Sequence, residues 1–314
     1  MSNLKPIVVV GSINTDLVTV TARMPVAGET VLGSDFKIYP GGKGGNQAVA
    51  IARLGYPVRM IGRVGNDSFG REARMHLNRA GVDTELVEAN DGPSGIAVIC
   101  VSSDGNNSII VTPGANGTLT PAHLDQFYPE IRSAGAVLTQ LEIPLDTVAY
   151  LAEICSREAI PFILDPAPAS TLPDGLFKHV TWLTPNQTEA TFYAKEDVEA
   201  TKFDPRRVVE HLQRKGVQGV LLKLGQEGVV VGNGEGKIEA LPAFDVQAVD
   251  TTAAGDAFNG GFAVGLMRGM NAVESARFAA AVAGISVTRP GAQPSMPTLQ
   301  EVEQFITEQA ARAL

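Results

Sequence analysis

One carboxylate stands at the start of an apolar helical stretch, directly after several small residues. The segment DTTAAGDAFNGG spans residues 250–261 and contains Asp256. Backbone amides in the first turn of a helix have no partner within the helix, so they attract anions. The small residues that would let an anion reach them are Ala253, Ala254 and Gly255. Asp256 could accept a proton from a ligand held there, but Asp is also a favoured helix N-cap, and this motif alone leaves both interpretations open.

A second segment surrounds one lysine and one asparagine with glycines. PGGKGGNQAVAIARLG spans residues 40–55 and contains Lys43, and we expect a helix to begin near Asn46. Glycines cost backbone entropy on folding, so this concentration indicates that something approaches the backbone closely. The alternative is a solvated lysine and a plain asparagine cap. The spacing is not that of a P-loop, and GNGEG at 232–236 predicts a hairpin turn because no helix follows it, which argues against a dinucleotide-dependent oxidoreductase.

Two further polar segments follow predicted strands. In TPNQTEA (184–190), Asn186 or Thr188 could cap a helix, with Glu189 as the capping-box acid. The same side chains could instead hold a hydrated Mg²⁺ and the phosphates of a nucleotide. KLGQEG (223–228) ends another strand in a glycine turn. Ligands bind at the carboxyl edge of open α/β sheets, so we expect these segments to meet there.

Short apolar runs alternate with helical patterns along the chain. The predicted strands are 7–10, 58–62, 136–141, 161–165, 181–184 and 220–224. The predicted helices are 46–55, 70–81, 145–158 and 205–216. This alternation predicts an α/β fold with a doubly wound, mostly parallel central sheet and helices on both faces, in a single domain over residues 1–314.

Two stretches break the alternation. Residues 16–39 are rich in Val and Thr, and residues 94–112 form two β-rich runs around SSDGNN, which predicts a hairpin. They are either extra edge strands or a small β-sheet lid. We expect a lid, formed by about residues 16–40 and 94–112, because enzymes that handle reactive phosphoryl groups exclude water in this way.

The composition narrows the possible partners. The chain has 314 residues, a formal net charge of −9 and two cysteines. The negative charge argues against nucleic acid and anionic membranes as partners. No apolar run approaches the length of a membrane span, and the start, MSNLKPIVVVG, is not typical of a signal peptide. Two isolated cysteines in apolar surroundings indicate reduced core residues and a cytoplasmic location. No metal-ligand spacing is found at His76, His123, His179 or His211.

With these motifs in order, the chain resembles the ribokinase-like family of sugar kinases. The likeness runs from GSINTD (11–16) through GGKGGNQA, QLEIP (140–144), DPAPA (165–169), TPNQTEA, KLGQEG and DTTAAGDAFNG to RPGAQPS (289–295). Members of this family transfer the γ-phosphoryl group of ATP to a sugar hydroxyl and often pair two subunits through the β lid. The resemblance therefore implies phosphorylation of D-ribose at its 5-hydroxyl by a homodimer. The alternatives are another sugar kinase of the family, acting on deoxyribose or fructose, and a non-catalytic sugar- and nucleotide-binding regulator.

The resemblance also implies roles for individual residues. Asp256 would be the base, and the anion hole would be formed by the amides of Ala253, Ala254, Gly255 and Asp256. The sugar would be bound by Asn14, Asp16, Gly42, Lys43, Asn46, Glu142 and Asp256. ATP and Mg²⁺ would be bound by Asn186, Glu189, Lys223, Leu224, Gly225, Gln226, Glu227, Gly228 and Gly255, with Glu189 reaching the metal indirectly. An activating K⁺ would be bound by Asp250, Thr252, Ser286, Arg289, Gly291 and Ser295.

Some positions depart from the family pattern. Gly45 replaces a usual Ala, and Ala253 replaces a Gly from which only the amide is needed. Lys223 replaces a small hydroxyl residue, which would alter contacts with the nucleotide phosphates, and Ala280 removes a polar group near the adenine base. Asn14 matches ribose-specific members, since deoxyribose-preferring relatives differ there. The reference pKa of Asp is about 3.9, so we expect Asp256 to be ionised at neutral pH.

Overall fold

Strands and helices alternate through most of the chain in the computed structural model, which describes residues 4–173, 175–194, 203–234 and 236–312. The strands in these ranges are β1 (Ile7–Val10), β2 (Asn14–Thr21), β3 (Gly33–Gly41), β4 (Val58–Gly65), β5 (Val87–Asn90), β6 (Gly95–Ser102), β7 (Asn107–Thr112), β8 (Ala136–Thr139), β9 (Phe162–Leu164), β10 (Trp182–Leu183), β11 (Gly219–Lys223), β12 (Val229–Gly232) and β13 (Ile238–Leu241). The helices are α1 (Lys43–Arg53), α2 (Ser68–Arg79), α3 (Pro121–Gln126), α4 (Tyr128–Arg132), α5 (Leu145–Arg157), α6 (Gln187–Tyr193), α7 (Pro205–Arg214), α8 (Ala254–Met267), α9 (Ala272–Ser286) and α10 (Leu299–Arg312).

The large sheet has nine strands in the order β13-β12-β11-β10-β9-β8-β1-β4-β5. Every pair from β5 across to β11 is parallel, and only the pairs β11–β12 and β12–β13 at one edge are antiparallel. This confirms the predicted mostly parallel sheet. The antiparallel pairing of β12 with β13 supports the hairpin predicted at 232–236, of which Glu235 lies outside the described residues.

Both faces of the large sheet are covered, which explains why its strands are uniformly apolar. In β1, Ile7 and Val9 belong to a core cluster that includes apolar residues of α1 and α8, whereas Val8 and Val10 belong to a second cluster that includes residues of α5 and α7. Side chains alternate between the faces of a strand, so a strand covered on both faces must be apolar at every position. Each predicted strand is present for this reason.

Helix α1 begins earlier than the sequence predicted. Its first residue is Lys43 and its N-cap is Gly42, so the expected start near Asn46 was wrong. The Asn46 amide donates to the carbonyl of Gly42 at 2.9 Å within the first turn. This start leaves the Asn46 side chain free to act elsewhere, and it is not a cap.

A separate small sheet has the order β3-β2-β6-β7. Its central pair, β2–β6, is parallel, and the outer pairs are antiparallel. The predicted hairpin around SSDGNN is confirmed as the β6–β7 turn. Large apolar side chains are exposed on this sheet, among them Phe36, Ile38, Ile109 and Ile110.

The described ranges contain no helix that is long and apolar enough to cross a membrane. The two cysteines, Cys100 and Cys155, are both free, and Cys155 is buried as expected while Cys100 is half-buried in β6.

Candidate active site

The opening of α8 leaves several backbone amides unpaired. The helix begins at Ala254, and no side chain caps it. The Ala254 amide donates to the carbonyl of Thr251 at 3.2 Å, so this predicted anion-hole amide is already engaged. Within the described ranges, the amides of Ala253, Gly255 and Asp256 have no acceptor in the protein. Three donors at the positive end of a 14-residue helix therefore remain to bind an anion.

Ala253 holds an unusual backbone conformation. Its φ of 57° and ψ of 16° lie in the left-handed region, where a Cβ is unfavourable by about 1–2 kcal/mol. Because only the amide is needed at this position, the replacement of glycine by alanine was expected to have no effect. The structure shows that the replacement strains the turn that aims these amides.

The Asp256 side chain is buried, and each of its carboxylate oxygens accepts one hydrogen bond. It is 4% exposed, and its Oδ2 accepts from Asn46 Nδ2 at 2.9 Å while its Oδ1 accepts from Gln47 Nε2 at 3.1 Å. Burial raises the pKa of Asp256 to about 7, although Lys43 opposes the shift. The expectation that this carboxyl is simply ionised at neutral pH was therefore wrong, because the reference value ignores desolvation. A base with a pKa near the working pH is suited to proton transfer.

Polar residues after β1 and β8 converge on the start of α1. Glu142 Oε2 accepts from Ser12 Oγ at 2.6 Å and from the Lys43 amide at 3.1 Å. Asn14 is buried, and its Oδ1 accepts from Asn116 Nδ2 at 2.7 Å. These contacts place Glu142 against the start of α1 and Asn14 beside Asn116.

The charges in this place influence one another. Burial and the nearby Glu142 carboxylate raise the pKa of Asp16 to about 6. Burial lowers the pKa of Lys43, but the carboxylates of Asp256, Asp165 and Glu142 outweigh it and raise the pKa overall. Lys43 is therefore a fixed cation at neutral pH.

Two glycines allow β3 to pack against β2 beside these groups. A Cβ on Gly41 would lie 2.3 Å from both carboxylate oxygens of Asp16. Gly42 has a φ of 84°, and its Cβ would lie 2.6 Å from the Asn14 amide nitrogen. The glycine-rich loop is therefore required by contacts within the protein, which place Asp16 and Asn14 against the loop.

The segment after β10 forms a helix cap whose acid lies close to other charges. Asn186 caps α6 by accepting from the Glu189 amide at 2.9 Å, and Glu189 Oε2 accepts from the Asn186 amide at 2.8 Å. Asn186 is the cap, not Thr188. Burial raises the pKa of Glu189, while Lys223 lowers it and Asp165 raises it. Glu189 thus belongs both to the helix cap and to a group of charges that includes Lys223 and Asp165. The end of β11 lies beside this cap, because the Lys223 amide donates to the Pro185 carbonyl at 2.9 Å.

A buried network beside the base was not predicted from the sequence. Gln47 Nε2 donates to Asp165 Oδ2 at 3.1 Å as well as to Asp256, and Gln47 Oε1 accepts from Gln140 Nε2. Lys223 Nζ donates to Asp165 Oδ1 at 3.2 Å. The motifs NQ, QLEIP and DPAPA contain Gln47, Gln140 and Asp165, but the bonds from Gln47 to the other two span more than 90 positions and leave no local signal.

The predicted K⁺ residues lie on two segments that meet. Asp250 Oδ1 accepts from Thr252 Oγ1 at 2.6 Å, and Asp250 Oδ2 accepts from the Gly291 amide at 2.8 Å. The Asp250 amide donates to the Val287 carbonyl at 3.1 Å. Arg289 pairs with Glu301 at 2.7 Å, so only its backbone oxygen is free to serve this site.

The hydroxyls of the two predicted serines point at backbone oxygens. Ser286 Oγ donates to the Ala283 carbonyl at 2.8 Å, and Ser295 Oγ donates to the Ala292 carbonyl at 2.7 Å. Both serines are buried, and their oxygen lone pairs remain. In the described ranges, no group of three or more His, Cys, Asp and Glu side chains has the arrangement of a metal site.

Comparison with known proteins shows which family the chain matches. The family model described as pfkB family carbohydrate kinase matches residues 4–299. A ribokinase of Bacillus subtilis is 41% identical over 307 residues, which cover 97% of this chain and 100% of the relative. A deoxyribokinase of Salmonella typhi is 34% identical over 303 residues, covering 96% and 98%. The structure of Arabidopsis thaliana ribokinase complexed with ribose and ATP has a TM-score of 0.89 and 35% identity, covering 96% of this chain and 99% of that one.

Proposed function

Because the chain belongs to the pfkB family of carbohydrate kinases, we propose that it transfers the γ-phosphoryl group of ATP to the 5-hydroxyl of D-ribose. The products are ribose 5-phosphate and ADP. The observation that carries the proposal is the buried Asp256 carboxyl beside three unpaired amides at the opening of α8. A pure binding protein has no need of a buried base with a raised pKa, and this disfavours the non-catalytic alternative.

Asp256 removes the proton from the sugar hydroxyl. Asn46 and Gln47 hold the two carboxylate oxygens, so the base is oriented before substrate arrives. The lone pairs not used in these bonds face the hydroxyl that becomes the nucleophile. With a pKa of about 7, part of the carboxyl is ionised near neutral pH, and the ionised form is a stronger base than a carboxylate with an ordinary pKa.

The opening of α8 stabilises the phosphoryl group during transfer. Charge builds on the three equatorial oxygens of the group, and the free amides of Ala253, Gly255 and Asp256 are donors already fixed at the positive helix end. Removing one such preorganised donor from an enzyme typically slows catalysis by about 10²–10³-fold. The Ala254 amide completes the anion hole only if its bond to Thr251 opens.

The sugar binds where β1, β2 and α1 meet. A polyol needs fixed hydrogen-bond partners, and Asn14, Asp16, Asn46, Lys43 and Glu142 provide donors and acceptors around Gly42. Asn46 Oδ1 is buried without a hydrogen-bond partner, so a substrate hydroxyl would satisfy it. Asn14 is the residue we assign to the 2-hydroxyl, which distinguishes ribose from deoxyribose.

ATP lies across the carboxyl ends of β10 and β11. Kinases that use ATP require a divalent cation, and we propose Mg²⁺ here. The donor set fits this ion, since Glu189 provides a buried carboxylate that can hold a hydrated metal. Mg²⁺ bound with the nucleotide would supply positive charge that neutralises part of the phosphate charge. Asn186 and Gly255 flank the phosphates. The turn after β11 binds the nucleotide and consists of Lys223, Leu224, Gly225, Gln226, Glu227 and Gly228.

We propose K⁺ as an activating cation beside the anion hole. The set offers the oxygens that K⁺ prefers: one carboxylate, hydroxyls and backbone carbonyls, from Asp250, Thr252, Ser286, Arg289, Gly291 and Ser295. A cation there would add positive charge next to α8. Turnover should fall when K⁺ is replaced with tetramethylammonium. KCl should raise the melting temperature, and tetramethylammonium chloride should not. If neither turnover nor melting temperature depends on the cation, the site is excluded.

We propose that the small sheet is a lid and that two chains pair through it in the cytoplasm. The exposed side chains of Phe36, Ile38, Ile109 and Ile110 support pairing, because a monomer seldom exposes such a cluster. The free cysteines support a reducing compartment. Sedimentation of the Ile110→Asp variant against wild type tests the pairing, and an unchanged dimer or a wild-type monomer would each contradict it.

A substrate panel tests the activity. ADP release is measured with D-ribose, 2-deoxyribose, fructose and adenosine, and the phosphorylated carbon is identified by ³¹P–¹H correlation. We expect ribose to have the highest kcat/KM and the phosphate to lie on O5. The 34% identity with a deoxyribokinase makes deoxyribose the main competitor. A preference for deoxyribose or fructose would reject ribose but keep the kinase, and no turnover with any sugar would reject both.

A further inference from the structure

Lys223 places a positive charge at the opening of α8. It is the last residue of β11, and its side chain is 13% exposed. A Cβ built on Gly255 would lie 3.4 Å from Lys223 Nζ, so the ammonium adjoins the first turn of α8. Gly255 itself carries one of the free amides. The four-carbon side chain of Lys223 thus ends beside the first turn of α8, next to one of these amides.

Asp165 fixes this ammonium. The carboxylate is 2% exposed, and its Oδ1 accepts from Lys223 Nζ at 3.2 Å. A buried carboxylate is costly unless it is paired, so Asp165 and Lys223 compensate each other. An ammonium has three N–H donors, and Asp165 takes one of them. In the described ranges the other two have no protein acceptor, so they can reach a ligand.

Gln47 connects this ion pair to the base. Its Nε2 donates to Asp165 Oδ2 and to Asp256 Oδ1, both at 3.1 Å. Gln140 holds the other end of the Gln47 amide, which fixes its orientation. Asp256, Gln47, Asp165 and Lys223 therefore form one continuous buried chain from the proton acceptor to the anion-binding turn.

We propose that Lys223 is a further catalytic residue, whose ammonium binds the phosphoryl group during transfer, and that Asp165 and Gln47 are positioning residues that hold this ammonium and Asp256 at the two sides of the reacting bond. The inference rests on the proposed phosphoryl transfer. The sugar oxygen forms its bond to phosphorus, the bond from phosphorus to the β–γ bridging oxygen breaks, and the hydroxyl proton passes to Asp256. Lys223 keeps its protons throughout and donates hydrogen bonds to the equatorial oxygens.

The charged groups around Asp256 determine what a pH profile would show. Lys43 faces it from α1, Asp165 from the loop after β9 and Glu142 from the loop after β8. Lys223 partly neutralises Asp165, and Glu189 of α6 also lies near this pair. Removing the ammonium leaves Asp165 without its partner beside Asp256, so the pKa of Asp256 should rise. Removing the Asp165 charge takes away a repulsion, so the pKa of Asp256 should fall.

The test uses Lys223→Met, Asp165→Asn and the double variant, with Lys178→Met as a matched control at an exposed lysine. We expect Lys223→Met to lower kcat at least about tenfold with the sugar KM unchanged. The acid limb of its pH–rate profile should move to higher pH, that of Asp165→Asn to lower pH, and that of the double variant back toward wild type. The control should match wild type in all of these measurements.

A binding measurement does not depend on turnover. Calorimetric titration compares ADP with AMP-PNP, which carries a γ group that is not transferred. Lys223→Met should lose affinity for AMP-PNP about tenfold and keep its affinity for ADP, because the ammonium contacts only the γ group. Equal losses for both nucleotides, or none, would overturn the proposal, and so would acid limbs that do not move in opposite directions.

Two safeguards keep the test decisive. If Lys223→Met fails to fold, the double variant replaces it, because removing both charges leaves no unpaired charge buried. Its kcat and the ratio of its affinities for AMP-PNP and ADP then test the same prediction. If the panel selects a sugar other than ribose, that sugar is used, so the substrate assignment and the role of Lys223 fail separately. A double variant with wild-type kcat and a wild-type affinity ratio overturns the proposal.

Discussion

Asp256→Asn should make the protein more stable while removing its base. Burial raises the pKa of Asp256 from 3.8 to about 7, so the folded state binds this proton more tightly than the unfolded chain does. The unfolding free energy contributed by this group is therefore highest below pH 4, declines as the pH rises from about 4 to 7, and is lowest above pH 7. An asparagine at this position carries no charge and avoids the decline.

The size of the effect follows from the shift. A shift of about three pKa units, at about 1.36 kcal/mol each, lowers the unfolding free energy by about 4 kcal/mol at pH 8 relative to low pH. At pH 4.5 this loss is only about 1 kcal/mol. The site can accept the amide, because Asn46 Oδ1 has no partner and the Asn46 side chain can turn to accept a hydrogen bond from it. Gln47 cannot turn, since both ends of its amide are engaged, but it can still donate to the remaining oxygen.

Urea unfolding at pH 8 and pH 4.5 measures the difference between variant and wild type. We expect a gain that is largest at pH 8 and shrinks at pH 4.5. Asp91→Asn, at an exposed carboxyl, is the control and should change the unfolding free energy by less than about 0.5 kcal/mol at either pH. An equal gain at both pH values, or a loss at pH 8, would show that Asp256 is not desolvated as described.

Three further predictions concern the pH profile, the loop and the turn before α8. Wild-type kcat/KM for the sugar should rise with pH through a midpoint near 7 as Asp256 ionises, and a flat ADP-release profile from pH 5 to 8 would contradict this. Gly41→Ala should raise the sugar KM at least about tenfold, because its Cβ would lie 2.3 Å from the Asp16 carboxylate, whereas Gly117→Ala, in ordinary contact, should leave KM unchanged. Ala253→Gly should raise the unfolding free energy by about 0.5–1 kcal/mol in urea titrations, since relief of left-handed strain exceeds the added chain entropy; destabilisation would show that the strain is absent.

The central sheet was predictable because burial on both faces makes each strand a continuous apolar run. β1, β8 and β11 illustrate this, with nearly every residue buried. β5 was not predicted, because its four residues, VEAN, are short and partly polar and owe their pairing to β4. Local pattern thus identifies central strands, whereas an edge strand depends on its neighbour.

The motifs predicted which segments carry the site but not all of its chemistry. Asp256 and the glycine loop stand out because helix starts and glycine clusters have local signatures. The roles of Gln47 and Asp165 depend on hydrogen bonds across 118 and 209 positions, which no spacing reveals. The start of α1 was placed late because Asn46 is a good cap by residue type, and only the Asp256 contact shows that its side chain is needed elsewhere.

The most direct measurement is the single-turnover rate of phosphoryl transfer by Asp256→Asn, with saturating ATP, Mg²⁺ and D-ribose. If the carboxylate takes the hydroxyl proton, the rate at saturating ribose should fall at least about 10²-fold. Transfer at close to the wild-type rate would contradict the assignment of Asp256 as the base.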